Sequence, residues 1–355
     1  MLGLAGIPLG YRFAFLDPAA DAPAGAVGEL VVGALDDVGA AERVAKDADI
    51  ATYEWEGVPA ATARALARHL PVLPPARALD VSQDRVTEKD TLRRLGVDTA
   101  PYRAVSGEAD LHEAVAVLGL PAVLKTRRGG YDGKGQTLLA DAADVDGAWE
   151  RLGGVPLVLE GFVPFDRELS ILAVRDRNGD VRCWPAVENH HRHGILRLSR
   201  APAPGLDEAL QHRAEACIRP LLSDLDFVGV CCVELFDVDG VLIANEIAPR
   251  VHNSGHWTIE GAETSQFENH VRAVGGLPLG TTGARGICAM VNCISTMPDR
   301  DAVLRVPGAH LHDYGKQPRV DRKLGHVTIV ASDATALDER LAELRKITGF
   351  EGGRV

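Results

Sequence analysis

The stretch Leu124–Leu139, LKTRRGGYDGKGQTLL, has the glycines and lysines of a phosphate cradle in an order that no P-loop uses. A P-loop needs G-x-x-x-x-G-K followed by Ser or Thr, so that a hydroxyl reaches the metal at a helix N-terminus; here Lys134 is followed by Gly135. Asp132-Gly133 lies between the apolar segments AVLKT and QTLLA, which predicts a reversing turn between two strands. Gly129, Gly130, Gly133 and Gly135 let backbone N–H groups approach a phosphate closely, while Lys125 and Lys134 supply charge without a helix dipole. A glycine-rich turn standing alone is more often a surface hairpin. Its reading therefore depends on nucleotide chemistry elsewhere in the chain.

Such chemistry lies downstream in CCVELFDVDGVLIANEIAPR. Val238-Asp239-Gly240 reads as a three-residue hairpin loop with Gly240 left-handed, which pairs Asp237 with Val241. That register sets Glu234 opposite Ala244 and brings Glu246 onto the same face one pair further along. Two converging carboxylates suit Mg2+ bridging nucleotide phosphates, with Asn245 as a neutral oxygen ligand or hydrogen-bond partner. Strand glutamates are commonly solvated, but the flanks CCV and LIA indicate burial, where unpaired carboxylates are costly.

The 355 residues exceed what one core usually supports, so two or three domains are expected. An apolar fraction of 46% and a charged fraction of 25% are those of an ordinary globular chain. The longest apolar run, FVGVCCVELF, is shorter than the roughly 20 residues that span a bilayer, and the N-terminus lacks a signal series. A soluble, cytoplasmic protein is expected. The six cysteines form no C-x-x-C pair, which favours reduced packing residues, with Cys231 and Cys232 on opposite faces of one strand. A net charge of -12 opposes general attraction to nucleic acid or anionic membranes, so an anionic ligand needs a local basic cluster.

Along the chain, YRFAFLDP reads as a strand, AAERVAKDADIATYEWEGVP as a helix leading into a strand at Ile50–Tyr53, and PAATARALARHL as a helix opened by Pro59. A Ser82 cap predicts one helix through QDRVTEKDTLRRLGV up to Gly96. The alternation implies a parallel sheet in this first part. Asp-Gly and Asn-Gly turns between the middle strands imply an antiparallel second part. The tail offers the strands ICAMVNCI and GHVTIVAS and a final helix over Ala336–Ile347.

The hairpin, the paired carboxylates and the intervening VLEGFV together resemble the ATP-grasp superfamily. The strings QDRVTEK, KTRRGGYDGKGQ, ENHHRHGIL, ANEIAPRVHNSGHWTIEGAETSQFENH and HDYGKQPRVDRKLGHVT are similar to the N5-carboxyaminoimidazole ribonucleotide synthase family of purine biosynthesis, over nearly the whole chain. The resemblance implies α/β and α+β layers: a Rossmann-like (pre-ATP-grasp) domain over 1–96, an ATP-grasp domain over 97–280 and a small C-terminal domain over 281–355. The family normally opens with a strand and a glycine turn. This chain starts at what resembles the following methionine, so the first domain is expected to lack its first strand, with about 15 to 20 further residues encoded upstream.

By the same resemblance, ATP lies with Arg85 and Lys125 on its phosphate side and Gly130, Tyr131, Asp132, Gly133, Lys134, Gly135 and Gln136 as a flexible cover. Glu160, Gly161, Phe162 and Val163 form the adenine-reading hinge, Glu168 binds the ribose, His191 contacts the nucleotide, and Asn245 and Glu246 close the metal end. Glu234 and Glu246 are the expected ligands of Mg2+, or Mn2+ in its place. ATP converts bicarbonate, a poor electrophile, to carboxyphosphate, and the acceptor is the weakly nucleophilic amine of aminoimidazole ribonucleotide. Arg250, His252, Asn253 and Ser254 are the candidates to hold the one-carbon group. Lys316, Arg322 and Lys323 are the counter-charge for the 5'-phosphate, with Arg319 read as solvated surface. Glu54, Glu56 and Tyr131 are further substrate candidates; strand alternation puts both glutamates on one side and Trp55 toward the core. Val320-Asp321 stands where the family often has Pro-Gly. A homodimer is expected. The alternatives are another ATP-grasp ligase of different specificity, or a nucleotide-binding regulator that has lost catalysis.

Overall fold

The structure is a computed structural model, and it describes residues 1–130 and 132–350. The first part comprises α1 (Leu2–Gly6), β1 (Ala14–Asp17), β2 (Glu29–Val32), α2 (Val38–Ala45), α3 (Ala60–Leu66), α4 (Ala76–Ser82) and α5 (Arg85–Arg94). β1 and β2 pair in parallel, and an isolated parallel bridge joins Ala51 to Val72. The strand expected over Ile50–Tyr53 is therefore reduced to that bridge. The single helix expected from a Ser82 cap is two helices: Ser82 ends α4, and the Asp84 carboxylate caps α5 by accepting from the N–H groups of Val86 and Thr87. Asp84 offers two acceptor oxygens where Ser82 has one hydroxyl, and Gln83 is spent on the carbonyls of Glu56 and Val58.

A four-stranded antiparallel sheet follows, made of β3 (Tyr102–Val105), β4 (Ala122–Thr126), β5 (Gln136–Leu139) and β6 (Leu157–Gly161), in the order β3-β6-β4-β5. α6 (Glu108–Leu118) and α7 (Ala148–Arg151) cover it through Leu111, Ala114 and Ala148, which meet Leu124 and Leu159 in one apolar cluster. β4 and β5 form the hairpin read from the sequence, with Lys125 paired to Gln136.

The second sheet has nine strands. It contains β7 (Arg167–Arg175), β8 (Val181–Cys183), β9 (Val187–Arg192), β10 (Ile195–Ala201), β11 (Gly229–Val238), β12 (Val241–Ala248), β13 (Ile287–Ile294), β14 (Ala309–Asp313) and β15 (Lys323–Ala331). All its pairings are antiparallel. β10 joins β13, so the sheet runs unbroken from the middle of the chain into the C-terminal part. Around it pack α8 (Glu208–Asp224), α9 (Thr258–Gly261), α10 (Gln266–Gly275), α11 (Arg300–Arg305) and α12 (Ala334–Thr348). Side chains of Asp207, Ser265 and Asp333 cap α8, α10 and α12, each worth about 1 kcal/mol.

β11 explains the run GVCCVELF. Cys231, Val233 and Leu235 pack toward α8, while Val230 and Cys232 pack toward α10 and Trp257, so both faces are buried. The two cysteines do face opposite ways, and all six are free thiols. Among the described residues, no helix is long and apolar enough to cross a membrane.

Candidate functional site

The β11–β12 turn is shorter than the sequence reading supposed. Asp239 and Gly240, at φ 49° and 81°, form a two-residue loop, so Asp237 pairs with Leu242 rather than Val241. Two successive left-handed residues match the twist of the flanking strands better than a longer loop. A bulge at Asn245 then shifts the ladder between Leu235–Ala244 and Glu234–Glu246. The two carboxylates end directly opposite each other. Their convergence was expected; the bulge that produces it was not.

Each carboxylate has a nitrogen partner. Arg85 Nη1 lies 3.0 Å from Glu246 Oε2, and His252 Nε2 lies 3.2 Å from Glu234 Oε1. Burial would raise the pKa of Glu234, but the His252 hydrogen bond and the nearby Lys323 hold it down at about 2. Arg85 is fixed from its backbone, whose N–H donates to the Arg127 carbonyl at the end of β4. Asp84 grips Arg127 at 2.9 Å and Arg128 at 3.2 Å, tying the start of α5 to the base of the glycine hairpin.

Beneath the hairpin lies a charge cluster that sequence reasoning found only in part. Lys125 Nζ is 2.9 Å from Glu160 Oε2 and 3.4 Å from Asn245 Oδ1. Lys89, wholly buried, is 3.2 Å from Glu160 Oε1 and donates to the Asn245 carbonyl at 3.3 Å. Glu88 accepts the N–H of Ile247 at 2.5 Å, and burial, then the charge of Glu246, push its pKa up to about 8. Glu88 and Lys89 sit in a polar helix whose pattern gives no sign that either is buried. The Glu160 side chain thus neutralises two lysines, leaving its backbone in the hinge strand. In the hinge after it, Gly161 and Phe162 give their N–H groups to Pro101 and Pro121 at 2.8 and 3.2 Å.

The hairpin tip folds over the sheet. Asp132 is at φ 47°, and its carboxylate meets Lys323 Nζ at 2.6 Å. Gly133, at φ +75°, lies against the β9–β10 turn so closely that an added Cβ would stand 2.8 Å from the His193 carbonyl. Tyr131 lies outside the described residues. Gly130, Gly135 and Gln136 complete the loop, and Lys134 lines a cavity of about 440 Å³ with Lys316, Arg319, Arg322 and Lys323. Burial, with Arg322 and Lys323 nearby, pushes the pKa of Lys316 down, as expected where cations crowd together. Arg319, read as solvated surface, is exposed at the rim of this cavity. Asp321 occupies φ 60° with its N–H bonded to Ser295, so the aspartate takes the conformation that glycine would adopt more easily.

On the same sheet face, His191 Nδ1 is 2.7 Å from Glu168 Oε2. Burial would lower the His191 pKa, but the bond to Glu168 and the charge of Glu234 raise it. After β12, Arg250 is engaged by Glu56 and donates to the Val251 carbonyl at 2.7 Å. Glu54 instead accepts the Leu2 N–H at 2.8 Å, so of the two glutamates Glu56 is the one turned to the carboxylate pair. Trp55 does not face the core: it is 51% exposed, because extended pairing here is limited to the bridge at Ala51 and the indole covers Gly57. Asn253 exchanges amide hydrogen bonds with Asn292, at 3.1 and 2.6 Å. Ser254 has no exposed surface, and its hydroxyl bonds Ser170 and His252 at 2.8 Å each. Contrary to expectation, Asn253 and Ser254 support the loop from behind, leaving Arg250 and His252 toward the carboxylates.

Known proteins share the sequence and fold of this chain. Residues 1–83 match the ribonucleotide synthetase preATP-grasp domain, 90–267 the ATP-grasp domain and 288–340 the phosphoribosylaminoimidazole carboxylase C-terminal domain. The chain is 50% identical over 98% of its length to N5-carboxyaminoimidazole ribonucleotide synthase of Pseudomonas aeruginosa, covering 96% of that protein. Its structure is similar to that of N5-carboxyaminoimidazole ribonucleotide synthetase from Thermus thermophilus, with a TM-score of 0.96, 54% identity, and 100% and 97% of the two chains covered. It is also similar to the synthase of Aspergillus clavatus in complex with ADP and 5-aminoimidazole ribonucleotide, with a TM-score of 0.92, 29% identity, and 98% and 95% covered.

Proposed function

The chain belongs to the N5-carboxyaminoimidazole ribonucleotide synthase family of ATP-grasp ligases, and from that premise we propose how its own residues carry out the reaction. The reaction is the ATP-dependent carboxylation of 5-aminoimidazole ribonucleotide in purine biosynthesis. Bicarbonate is the one-carbon donor, and N5-carboxyaminoimidazole ribonucleotide, ADP and phosphate are the products. The observation that carries this reading is the Glu234–Glu246 pair, set under a glycine hairpin and flanked by Arg85 and His252.

ATP lies between the four-stranded sheet and the β11–β12 ladder. Lys125 and Arg85 meet its phosphates, the loop 130–136 covers them, and Glu168 with His191 holds the ribose side. Gly161 and Phe162 already spend their N–H groups and the Val163 carbonyl accepts from Phe165, so we take the Val163 N–H as the hinge donor to adenine. Among the described residues, no three acidic, histidine or cysteine side chains converge to hold a metal by themselves. Glu234, Glu246 and the Asn245 amide oxygen nevertheless fit Mg2+, which commonly takes one or two carboxylates and completes its shell with phosphate oxygens and water. When bound, that ion offsets phosphate charge during transfer to bicarbonate.

The chain's own part is to hold reactants and exclude water. Arg250 and His252 orient bicarbonate beside the γ-phosphate, so that a bicarbonate oxygen forms the new P–O bond as the bond to ADP breaks. The substrate amine must then lie next to carboxyphosphate, or the CO2 it releases, under a closed hairpin. Lys316, Arg322 and Lys323 bind the 5'-phosphate as a basic patch in a chain of net charge -12. Free cysteines and overall acidity support a cytoplasmic enzyme, and we take it as a homodimer with no nucleic-acid partner.

The test is ADP release from ATP and bicarbonate with and without aminoimidazole ribonucleotide. Release that depends on the ribonucleotide, with formation of the N5-carboxylated product, supports the assignment. Release that is indifferent to it, with another amine consumed, would indicate a ligase of different specificity.

A further inference from the structure

β12 ends the nine-stranded sheet, and apart from a single bridge between Thr99 and Ala244 its outer edge meets the side chains of α5 instead of another strand. A strand edge carries backbone groups that need partners. Here the Ala244 N–H donates to the Asp98 carbonyl at 2.7 Å, Lys89 Nζ donates to the Asn245 carbonyl at 3.3 Å, and the Ile247 N–H donates to Glu88 Oε1 at 2.5 Å. Glu88 and Lys89 are 1% and 0% exposed, so bulk water does not share these contacts. With Arg85 they occupy the i, i+3, i+4 face of α5. A buried helix face is ordinarily apolar. This one is charged, and Lys89, Arg85 and Glu88 are spent on three successive residues of β12: Asn245, Glu246 and Ile247.

These contacts are specific to the bulged strand. In a regular strand the N–H groups that point to one edge recur at every second residue, so an outward N–H at Ala244 would be followed by one at Glu246. The next outward N–H is at Ile247 instead, because Asn245 is the extra residue between the Leu235–Ala244 and Glu234–Glu246 pairs. Without the bulge, Asn245 would pair with Glu234, and Glu246 would stand opposite Val233, on the face that packs toward α8. The Ile247 N–H would then turn inward, leaving the Glu88 carboxylate buried with no backbone donor. Glu88 is therefore matched to the one phase of β12 that puts both carboxylates on the same face.

We infer that Glu88 is a positioning residue: by taking up the Ile247 N–H it holds the bulge at Asn245 in place, and so keeps Glu246 opposite Glu234. Lys89 supports the same phase through the Asn245 carbonyl. The inference rests on the reading of Glu234 and Glu246 as the metal-binding end of the site, and it gives that reading a cause in a helix that touches neither substrate. Hydrogen-bond partners behind site residues commonly set ligand geometry in this way.

The experiment compares Glu88→Gln with Glu88→Met in the full-length protein. The two replacements have similar length, and only glutamine keeps an acceptor oxygen, so a packing role alone would be met by methionine. Amide hydrogen exchange of the ligand-free proteins is read at Ile247 and Ala244, and Mn2+ affinity is measured in the presence of ADP. In the unmodified protein and in Glu88→Gln the Ile247 amide is expected to be protected. In Glu88→Met it is expected to exchange at least about tenfold faster, with Ala244 still protected by Asp98, and Mn2+ affinity is expected to fall by about tenfold or more. Equal behaviour of the two variants would overturn the inference. Rapid exchange of Ile247 in the unmodified protein would overturn it without any variant having to fold. The exchange measurement needs neither ligand nor turnover, so failure of the carboxylate reading, seen as no Mn2+ binding to the unmodified protein, is a separate outcome.

Discussion

Glu234 lies directly across the β11–β12 ladder from Glu246, because a bulge at Asn245 removes the offset that the hairpin turn alone would give them. One is paired with His252 and the other with Arg85, so neither carboxylate is left bare in the absence of ligand. Glu246 is the more exposed, at 40% of its side chain, so replacing it removes charge from the site without opening the core. Glu246→Gln is expected to lower turnover on the order of a hundredfold or more while the urea midpoint stays within error. ADP release followed against Mg2+ concentration, together with a denaturation curve, checks both halves. Unchanged turnover would remove Glu246 from the metal-binding end.

Lys89 and Lys125 share Glu160 but differ in what they are for. Lys89 has no exposed surface, whereas Lys125 reaches Asn245 Oδ1 at the edge of the site. Breaking a buried ion pair leaves an uncompensated charge and costs about 3–5 kcal/mol. Lys89→Met is expected near the lower end of that range, because Lys125 still faces Glu160 at 2.9 Å. Lys125→Met is expected to raise KM for ATP by at least about tenfold with a smaller loss of stability, since it removes a phosphate contact worth more than about 1.4 kcal/mol. Urea unfolding and ATP kinetics on both variants separate the two roles.

These residues also show what the sequence discloses. The hairpin 124–139 and the carboxylate strands are legible because Asp-Gly turns and apolar alternation are local signals. The register between β11 and β12 is not, since a one-residue bulge leaves no mark in composition. Glu88 and Lys89 escape for a different reason: a helix with charges at adjacent positions reads as solvated, and only the tertiary approach of β12 and Glu160 buries them. Alternation misplaces Trp55 and Glu54 because the extended segment before them pairs only at Ala51. Ser254 and Asn253 look like ligands in sequence because the loop is polar, yet Ser170 and Asn292 absorb them from behind.

Gly133 holds the cover closed. With its φ at +75° and the His193 carbonyl 2.8 Å from any Cβ, a side chain here is both strained and in collision with backbone. Gly133→Ala is expected to displace the loop from the β9–β10 turn and break the Asp132–Lys323 contact. A left-handed alanine costs about 1–2 kcal/mol, and local opening confines that cost to the loop. The expected outcome is a KM for ATP raised by about tenfold and more ADP released per carboxylated product, with little change in the urea midpoint. Tight coupling retained in this variant would show that the loop does not shield the reaction.

His270 sets a pH limit on the fold itself. It is fully buried on α10 between Thr52, whose hydroxyl is 2.7 Å from Nε2, and the Val230 N–H, which donates to Nδ1 at 3.1 Å. Burial pushes its pKa down to about 4, against about 6.5 for a free histidine. In the folded protein the ring stays neutral through this interval, while in the unfolded chain it takes up a proton as pH falls below about 6.5. The unfolded state therefore binds more protons, and stability rises with pH there. The contribution is complete above about pH 6.5 and is lost progressively as pH falls toward about 4, to a total of about 3 kcal/mol. His270→Gln should flatten the urea midpoint across that interval relative to the unmodified protein, although it costs stability near neutral pH through the imperfect replacement of two hydrogen bonds. Equal slopes for the two proteins across that interval would mean that His270 is not the group whose protonation unfolds this part of the chain.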